Sequence, residues 1–297
     1  MTEYKLLSPK LDVVFQRLFG EVGSEKITKR FVEKILGEEI DQVDLSKNPI
    51  LRRETIHGKL GILDVVVEFN GREKINVEMQ VAKKDDMPER LLYYWSRLYG
   101  RGIQEGEEYF ELERTIVVLI SEYEIKGLEE LGYHTEWKII EEKGRKKILT
   151  EKLEIHILEL NKIKGKEKEE DELLDWLFFI DNPKAERVRE AMKENEELEK
   201  ANEKLNQMSE EEEMQRLAWW REKALHDEAS VKGMGRREGI AIGEEKGRKE
   251  GIKEGIKEGK QKEKEEIAKK MLQEKMELDL IMKFTGLSEE EIKKLED

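Results

Sequence analysis

Apolar positions recur at helical spacing near the start of the chain. Leu11, Val14, Phe15, Leu18 and Phe19 form one stripe within 8–20, which predicts a short helix that Gly20 can end. A second helix is predicted from Ser24 to Leu36, with Ser24 as N-cap, Ile27, Phe31 and Ile35 inward, and Gly37 after it. The period then changes. Gly61–Phe69 and Glu73–Val81 read as strands flanking Asn70-Gly71, a strong hairpin signal. Residues 86–104, rich in Leu, Tyr and Trp, read as a helix. Thr115–Ser121 is apolar on both faces, as a central buried strand would be. Tyr133–Ile140 and Leu153–Leu160 are further strand candidates, and Asp171–Ile180 is an amphipathic helix. These elements place a compact domain at 1–182, a charged helical region at 183–262, and a small helical module at 263–297, whose part from 265 onward reads as three short helices.

Composition supports that division. Of 297 residues, 42% are charged and 37% hydrophobic, too polar for one core of this length, so a compact part with a helical extension fits better. The net charge is -14, which argues mildly against a nucleic-acid binder, although the acidic excess is heavy after Glu167. There is no cysteine, which excludes disulfides and thiolate metal sites. His57, His134, His156 and His226 show no ligand-pair spacing. A bound metal would therefore be held mainly by oxygen, which favours Mg²⁺, Mn²⁺ or Ca²⁺. No secretory pattern and no long apolar span is visible, so a cytoplasmic protein with no membrane partner is expected.

The chemistry centres on Asp64, which sits in an otherwise apolar strand apart from Glu68. An ionised carboxylate there is costly unless a cation or hydrogen-bond donors meet it. In the next strand Ile75, Val77, Met79 and Val81 alternate with Lys74, Asn76, Glu78 and Gln80, so Glu78 and Gln80 share a face. Two carboxylates converging on one point would call for a divalent cation, which could also activate water and neutralise a phosphate. Register decides whether they converge. A two-residue loop pairs Phe69 with Arg72 and puts Asp64 opposite Val77, on the wrong face; a three-residue loop pairs Phe69 with Glu73 and puts Asp64 opposite Glu78. The alternative is that Glu78 and Gln80 simply lie on a solvated strand face, since alternation is what half-buried strands show.

The segment GKLGILDVVVEFNGREKINVEMQ, continuing to PERLLYYWSRLYG, resembles the PD-(D/E)XK nuclease superfamily and, more closely, the Rpn family of recombination-promoting, transposase-like nucleases. The matching pieces include Asp12, Phe15, Leu18 and Phe19, then Lys59, Asp64, Glu78-Met79-Gln80, and Arg90 with Tyr93-Tyr94. The resemblance covers roughly residues 8–125. It implies an α/β, restriction-endonuclease-like fold, a mixed β-sheet flanked by helices. It also implies Mg²⁺-dependent DNA endonuclease activity, with Asp64 and Glu78 as metal ligands and the Met79 backbone carbonyl assisting. Gln80 stands where the wider superfamily has lysine; it can orient water but cannot offset charge. Lys59 could supply that charge, or be a solvated loop residue. Asp12 could approach the metal, or simply complement the helix dipole. Arg90 and Arg97, interleaved with Tyr93 and Tyr94, could contact phosphates, or the tyrosines could pack on the sheet.

In the extension a charged helical stretch carries one aromatic pair, Trp219-Trp220. Glycine then recurs every fourth residue at 235, 239, 243, 247, 251, 255 and 259. On a helix this stripe drifts about 40° per step. Each glycine costs about 1 kcal/mol against alanine. Close approach by a second copy would offset that cost, so a homo-oligomer is one expectation and a disordered spacer the other. In the last segment Ser288 and Glu291 match a capping box beyond Gly286, and the unit resembles a helix-turn-helix. Its second helix is acidic and a poor reader of DNA, which favours a docking or dimerising bundle. Two non-enzymatic readings stand beside the nuclease: a catalytically degenerate scaffold, and a helix-turn-helix regulator.

Overall fold

The computed structural model describes residues 4–46, 65–71 and 73–295. The chain forms two compact units, Met1–His226 and Asp227–Asp297. The first opens with α1 (Asp12–Gly20) and α2 (Glu25–Leu36). Both helices bury the predicted stripes, with Phe15, Phe19, Phe31 and Ile35 almost wholly inside. Ser24 does occupy the N-cap position of α2, but its hydroxyl makes no capping bond and instead accepts from Lys204 Nζ at 2.6 Å. Gly37 ends the helix in the left-handed region, at φ 68°.

A six-stranded sheet follows, in the order β1-β2-β3-β4-β6-β5. Its strands are β1 (Val43–Asp44), β2 (Val65–Phe69), β3 (Glu73–Gln80), β4 (Thr115–Ser121), β5 (His134–Trp137) and β6 (Leu153–Glu159). Pairing is antiparallel through β1, β2 and β3, parallel across β3, β4 and β6, and antiparallel again between β6 and β5. All seven residues of β4 are buried, as its two-sided apolar sequence requires of a central strand. The connection from β3 to β4 carries α3 (Met87–Gly100), shorter than the predicted 86–104.

The two faces of the sheet are covered unequally. On one, Val65, Val67, Ile75, Val77, Ile116, Val118 and Leu158 join the main core with α1, α2 and α4 (Glu172–Asp181). Trp176 of α4 stacks obliquely on Phe31, with ring centroids 5.5 Å apart. On the other face Val117, Leu119, Leu153, Ile155 and Ile157 meet Met87 and Leu91 of α3.

The sequence reading ended the compact part at residue 182, but the main core continues beyond it. After α5 (Glu186–Ala191) comes α6 (Glu196–Glu210), which adds Leu198, Ala201, Leu205 and Met208; α7 (Glu212–Gln273) then adds Met214 and Ala218. A sparse apolar stripe in a highly charged stretch is enough to bury one face of a helix.

In the second unit the glycine stripe lies within α7, so the segment is helical rather than a structureless spacer. Among the described residues, a Cβ added at any glycine from Gly235 to Gly259 would meet nothing within 4 Å. The end of α7 packs with α8 (Leu278–Thr285) and α9 (Glu289–Lys293) around Ala268, Ile281, Leu287 and Ile292. Gly286 turns the chain at φ 69°, and the Ser288–Glu291 capping box forms as predicted. Among the described residues no helix is long and apolar enough to cross a membrane.

Candidate functional site

Asp64 and Lys59 lie outside the described residues. What the structure settles is the hairpin register beside them. Val65 pairs with Val77, Val67 with Ile75, and Phe69 with Glu73, leaving three positions in the loop. Asn70 and Gly71 both take positive φ, 47° and 95°, so the tip uses the Asn-Gly signal without forming the two-residue turn.

On β3 the alternation sends Ile75, Val77 and Met79 into the main core, and Asn76, Glu78 and Gln80 to the face shared with α3. That face is not solvated at Glu78, which is 0% exposed, while Gln80 is half-buried. Asn76 Nδ2 donates to Glu78 Oε1 at 3.3 Å. Glu78 lies beside Leu119, and Gln80 beside Ser121, on the parallel strand β4. A carboxylate so buried suits a cationic environment, and a carboxylate, a backbone carbonyl and an amide oxygen are donors a hard divalent cation accepts.

Helix α3 packs Met87 and Leu91 on the β4 and β6 part of this face and carries Arg90 and Tyr94 one turn apart beside them. Arg90 Nη2 donates to Tyr94 Oη at 2.5 Å, and its guanidinium carbon lies 5.5 Å from the ring centroid. Arg90 Nε is buried and makes no hydrogen bond among the described residues. Tyr123, just past β4, has its pKa raised by burial, with a smaller opposing effect from the Arg90 charge. Arg90 therefore sits at the end of the sheet that carries Gln80 and Ser121. Arg97 and Tyr93 are exposed, whereas Tyr94 is buried beside Arg90.

Asp12 has different company. Its Oδ1 accepts from its own neighbour's Val13 N–H at 2.8 Å and from Arg221 Nε at 2.7 Å, and its Oδ2 pairs with Arg221 Nη2 at 2.5 Å. Nearby, Lys10 bridges Glu122 at 2.6 Å and Asp181 at 3.0 Å, and the Glu122 N–H donates to the Gln80 carbonyl. Burial lowers the Lys10 pKa, but the hydrogen bonds it donates to the two carboxylates outweigh burial and raise it above its usual value.

One cluster was invisible to spacing. Antiparallel β5 and β6 bring His134 and His156 together, with Nε2 of the first 2.8 Å from Nδ1 of the second. No ligand-pair spacing marks these histidines because strand register joins them across 22 residues. His156 Nε2 lies 2.6 Å from Glu154 Oε1, and Glu136, Glu154 and His156 offer ligand atoms within 4.8 Å of one another. These are the donors of a metal site, but protein cations already answer them. Arg114 lies 2.9 Å from Glu154, and Lys138 lies 2.5 Å from Glu136 and 3.7 Å from Glu154. Burial pushes the Glu154 pKa up, yet hydrogen bonds from His156 and Arg114 prevail and hold it at about 2. Burial, with His156 beside it, takes His134 from 6.5 down to about 4. The arrangement fits a hydrogen-bond relay better than a metal centre.

A mixed sheet flanked by helices, with a buried glutamate on its third strand and an amide two residues on, describes a nuclease-type fold of the PD-(D/E)XK class. Residues 9–234 match the model of the PD-(D/E)XK nuclease family transposases, and the chain belongs to that family. Residues 261–297 match the C-terminal HTH domain of the Rpn/YhgA-like nuclease family, which makes the likeness to Rpn nucleases specific. No curated protein and no solved structure matches the chain.

Proposed function

We propose that the chain is a Mg²⁺-dependent DNA endonuclease, with Mn²⁺ as a substitute ion, acting in recombination or transposition. Asp64, Glu78 and the Met79 carbonyl would hold the ion. When bound, it supplies Lewis-acid charge at the phosphate and a more acidic attacking water. Gln80 orients that water through its side-chain amide. Arg90 and Arg97 face the phosphate oxygens and supply positive charge that Gln80, lacking the superfamily's lysine, does not; Lys59 and Asp12 are accessory positions. The observation that carries this reading is the fully buried Glu78 in the Phe69–Glu73 register, the register that a shared face with residue 64 requires. Glycine-mediated self-association through α7 is part of the proposal, and the C-terminal HTH domain is a second means of engaging DNA.

The test is nicking of supercoiled plasmid by the purified chain with Mg²⁺ or Mn²⁺. Glu78→Gln and Asp64→Asn are each expected to slow nicking by about a hundredfold or more, since a lost ligand removes several kcal/mol of transition-state stabilisation. Equal nicking by wild type and variants would sink the site. A neutral Gln80 favours one competing reading, the catalytically degenerate scaffold, and a wild type that never nicks would establish it.

A further inference from the structure

Trp219 and Trp220 have no role in the site described above. They sit on α7 at an edge-to-face angle of 74°, with centroids 4.9 Å apart, and are 54% and 59% exposed. The helix buries its opposite side, through Met214 and Ala218, in the main core, so the indoles point outward. Arg216 and Lys223 lie one turn to either side on the same face. Among the described residues neither makes an ion pair, and the Lys223 ammonium lies 5.6 and 5.4 Å from the two ring centroids.

The pair also has an address. Arg221, adjacent to Trp220, grips Asp12 at the start of α1. Lys10, two residues earlier, bridges to Glu122, whose N–H donates to the Gln80 carbonyl. The turn of α7 that carries the indoles is thus linked, through Arg221 and the Asp12–Lys10 segment, to the strand end that carries Gln80.

We infer that Trp219 and Trp220, flanked by Arg216 and Lys223, form a stacking platform for unpaired nucleobases of single-stranded DNA. Exposed indoles accept the π-face of any base, and neighbouring cations meet its phosphate. A duplex keeps its base faces stacked on one another and offers nothing to such a platform. Glu212 and Glu213 precede the platform, so stacking rather than phosphate attraction carries the binding. The inference rests on the nuclease reading for its purpose: the enzyme would favour substrates with frayed or unpaired segments beside the scissile bond.

The experiment measures fluorescence anisotropy of a labelled oligo-dT and of a blunt duplex of equal length, using the full chain with divalent metal chelated. Trp219→Ala/Trp220→Ala is expected to weaken oligo-dT binding about tenfold or more, with duplex binding changed less than about twofold. Trp219→Phe/Trp220→Phe keeps oligo-dT affinity within about threefold, because the π-faces remain. Oligo-dT affinity unchanged in the alanine pair, or absent in wild type, overturns the platform. So does a fall in sedimentation mass of the alanine pair, which would make the indoles a contact between copies. Because no cleavage is read, the two proposals fail separately. Tryptophan-dependent oligo-dT binding by a wild type that never nicks plasmid overturns the nuclease alone. Plasmid nicking with tryptophan-independent oligo-dT binding overturns the platform alone.

Discussion

Glu154 fixes the protonation of its whole neighbourhood. Held ionised by Arg114, it can only accept, so His156 must donate from Nε2. A single hydrogen bond then joins His156 Nδ1 and His134 Nε2, with one proton between the two rings. The low pKa of His134, about 4, comes first from burial and then from His156 beside it. The consequence for stability has a definite sign. The unfolded chain protonates His134 near 6.5 and the folded chain only near 4, so the unfolded state binds more protons between those values. Stability from this residue is complete above about pH 6.5 and falls as pH drops toward 4. Glu154 adds a second loss below 4.5, as pH falls toward its folded value of about 2. Glu136 and Asp171 face His134 and temper the shift. Thermal unfolding followed by circular dichroism should show Tm declining from pH 6.5 to 4 in wild type. His134→Gln, which can still donate to His156 but does not titrate, should flatten that decline. An unchanged slope in the variant would refute the relay.

At the scale of elements, legibility depended on whether a signal was local. The β2–β3 hairpin was readable because Asn70-Gly71 and alternating side chains announce it, and the loop length was readable only as a pair of alternatives. Asn-Gly serves either register, and the observed one needs Phe69 opposite Glu73. Glu78 and Gln80 were found by alternation, but the burial of Glu78 was not, because it depends on chain packed over that face from outside the strand. The His134–His156 contact was illegible for a related reason: no short turn fixes the β5–β6 register, and a slip of one residue would have separated the rings. Helix α6 was masked by charge, although Leu198, Ala201, Leu205 and Met208 keep helical spacing. The glycine stripe on α7 was legible as a pattern, but its state was not. Among the described residues no neighbour needs those positions to lack a Cβ, so within this chain each glycine weakens the helix, by about 1 kcal/mol against alanine. Gly243→Ala/Gly247→Ala/Gly251→Ala should therefore raise helical ellipticity and local thermal stability. If the stripe admits a second copy, the same variant should sediment at lower mass while remaining more helical. More helix with unchanged mass would remove self-association from the proposed function.

For the whole molecule, the distribution of charge matters more than its total. Residues 1–166 carry 29 basic against 32 acidic residues and are nearly balanced, while 167–232 carry 11 basic against 21 acidic. The nuclease sheet is thus almost neutral, and the acidity belongs to the helices that complete its core and lead into the glycine stripe. In the proposed function the balanced part would meet DNA locally through Arg90 and Arg97, while the molecule at -14 would repel it at long range. Those two effects respond oppositely to salt. Screening acts over about 30 Å at 0.01 M and about 10 Å at 0.1 M, so added salt first removes the long-range repulsion. Further salt then weakens the local phosphate contacts by counterion competition. The expected profile of plasmid nicking against NaCl, at constant Mg²⁺, is therefore a rise to a maximum near about 0.1 M followed by a decline. A basic nuclease would instead lose rate from the lowest salt upward. Initial nicking rates across roughly 0.01 to 0.3 M NaCl decide the matter, and a steady fall from the first point would mean that DNA reaches the site along a basic approach which the overall charge conceals.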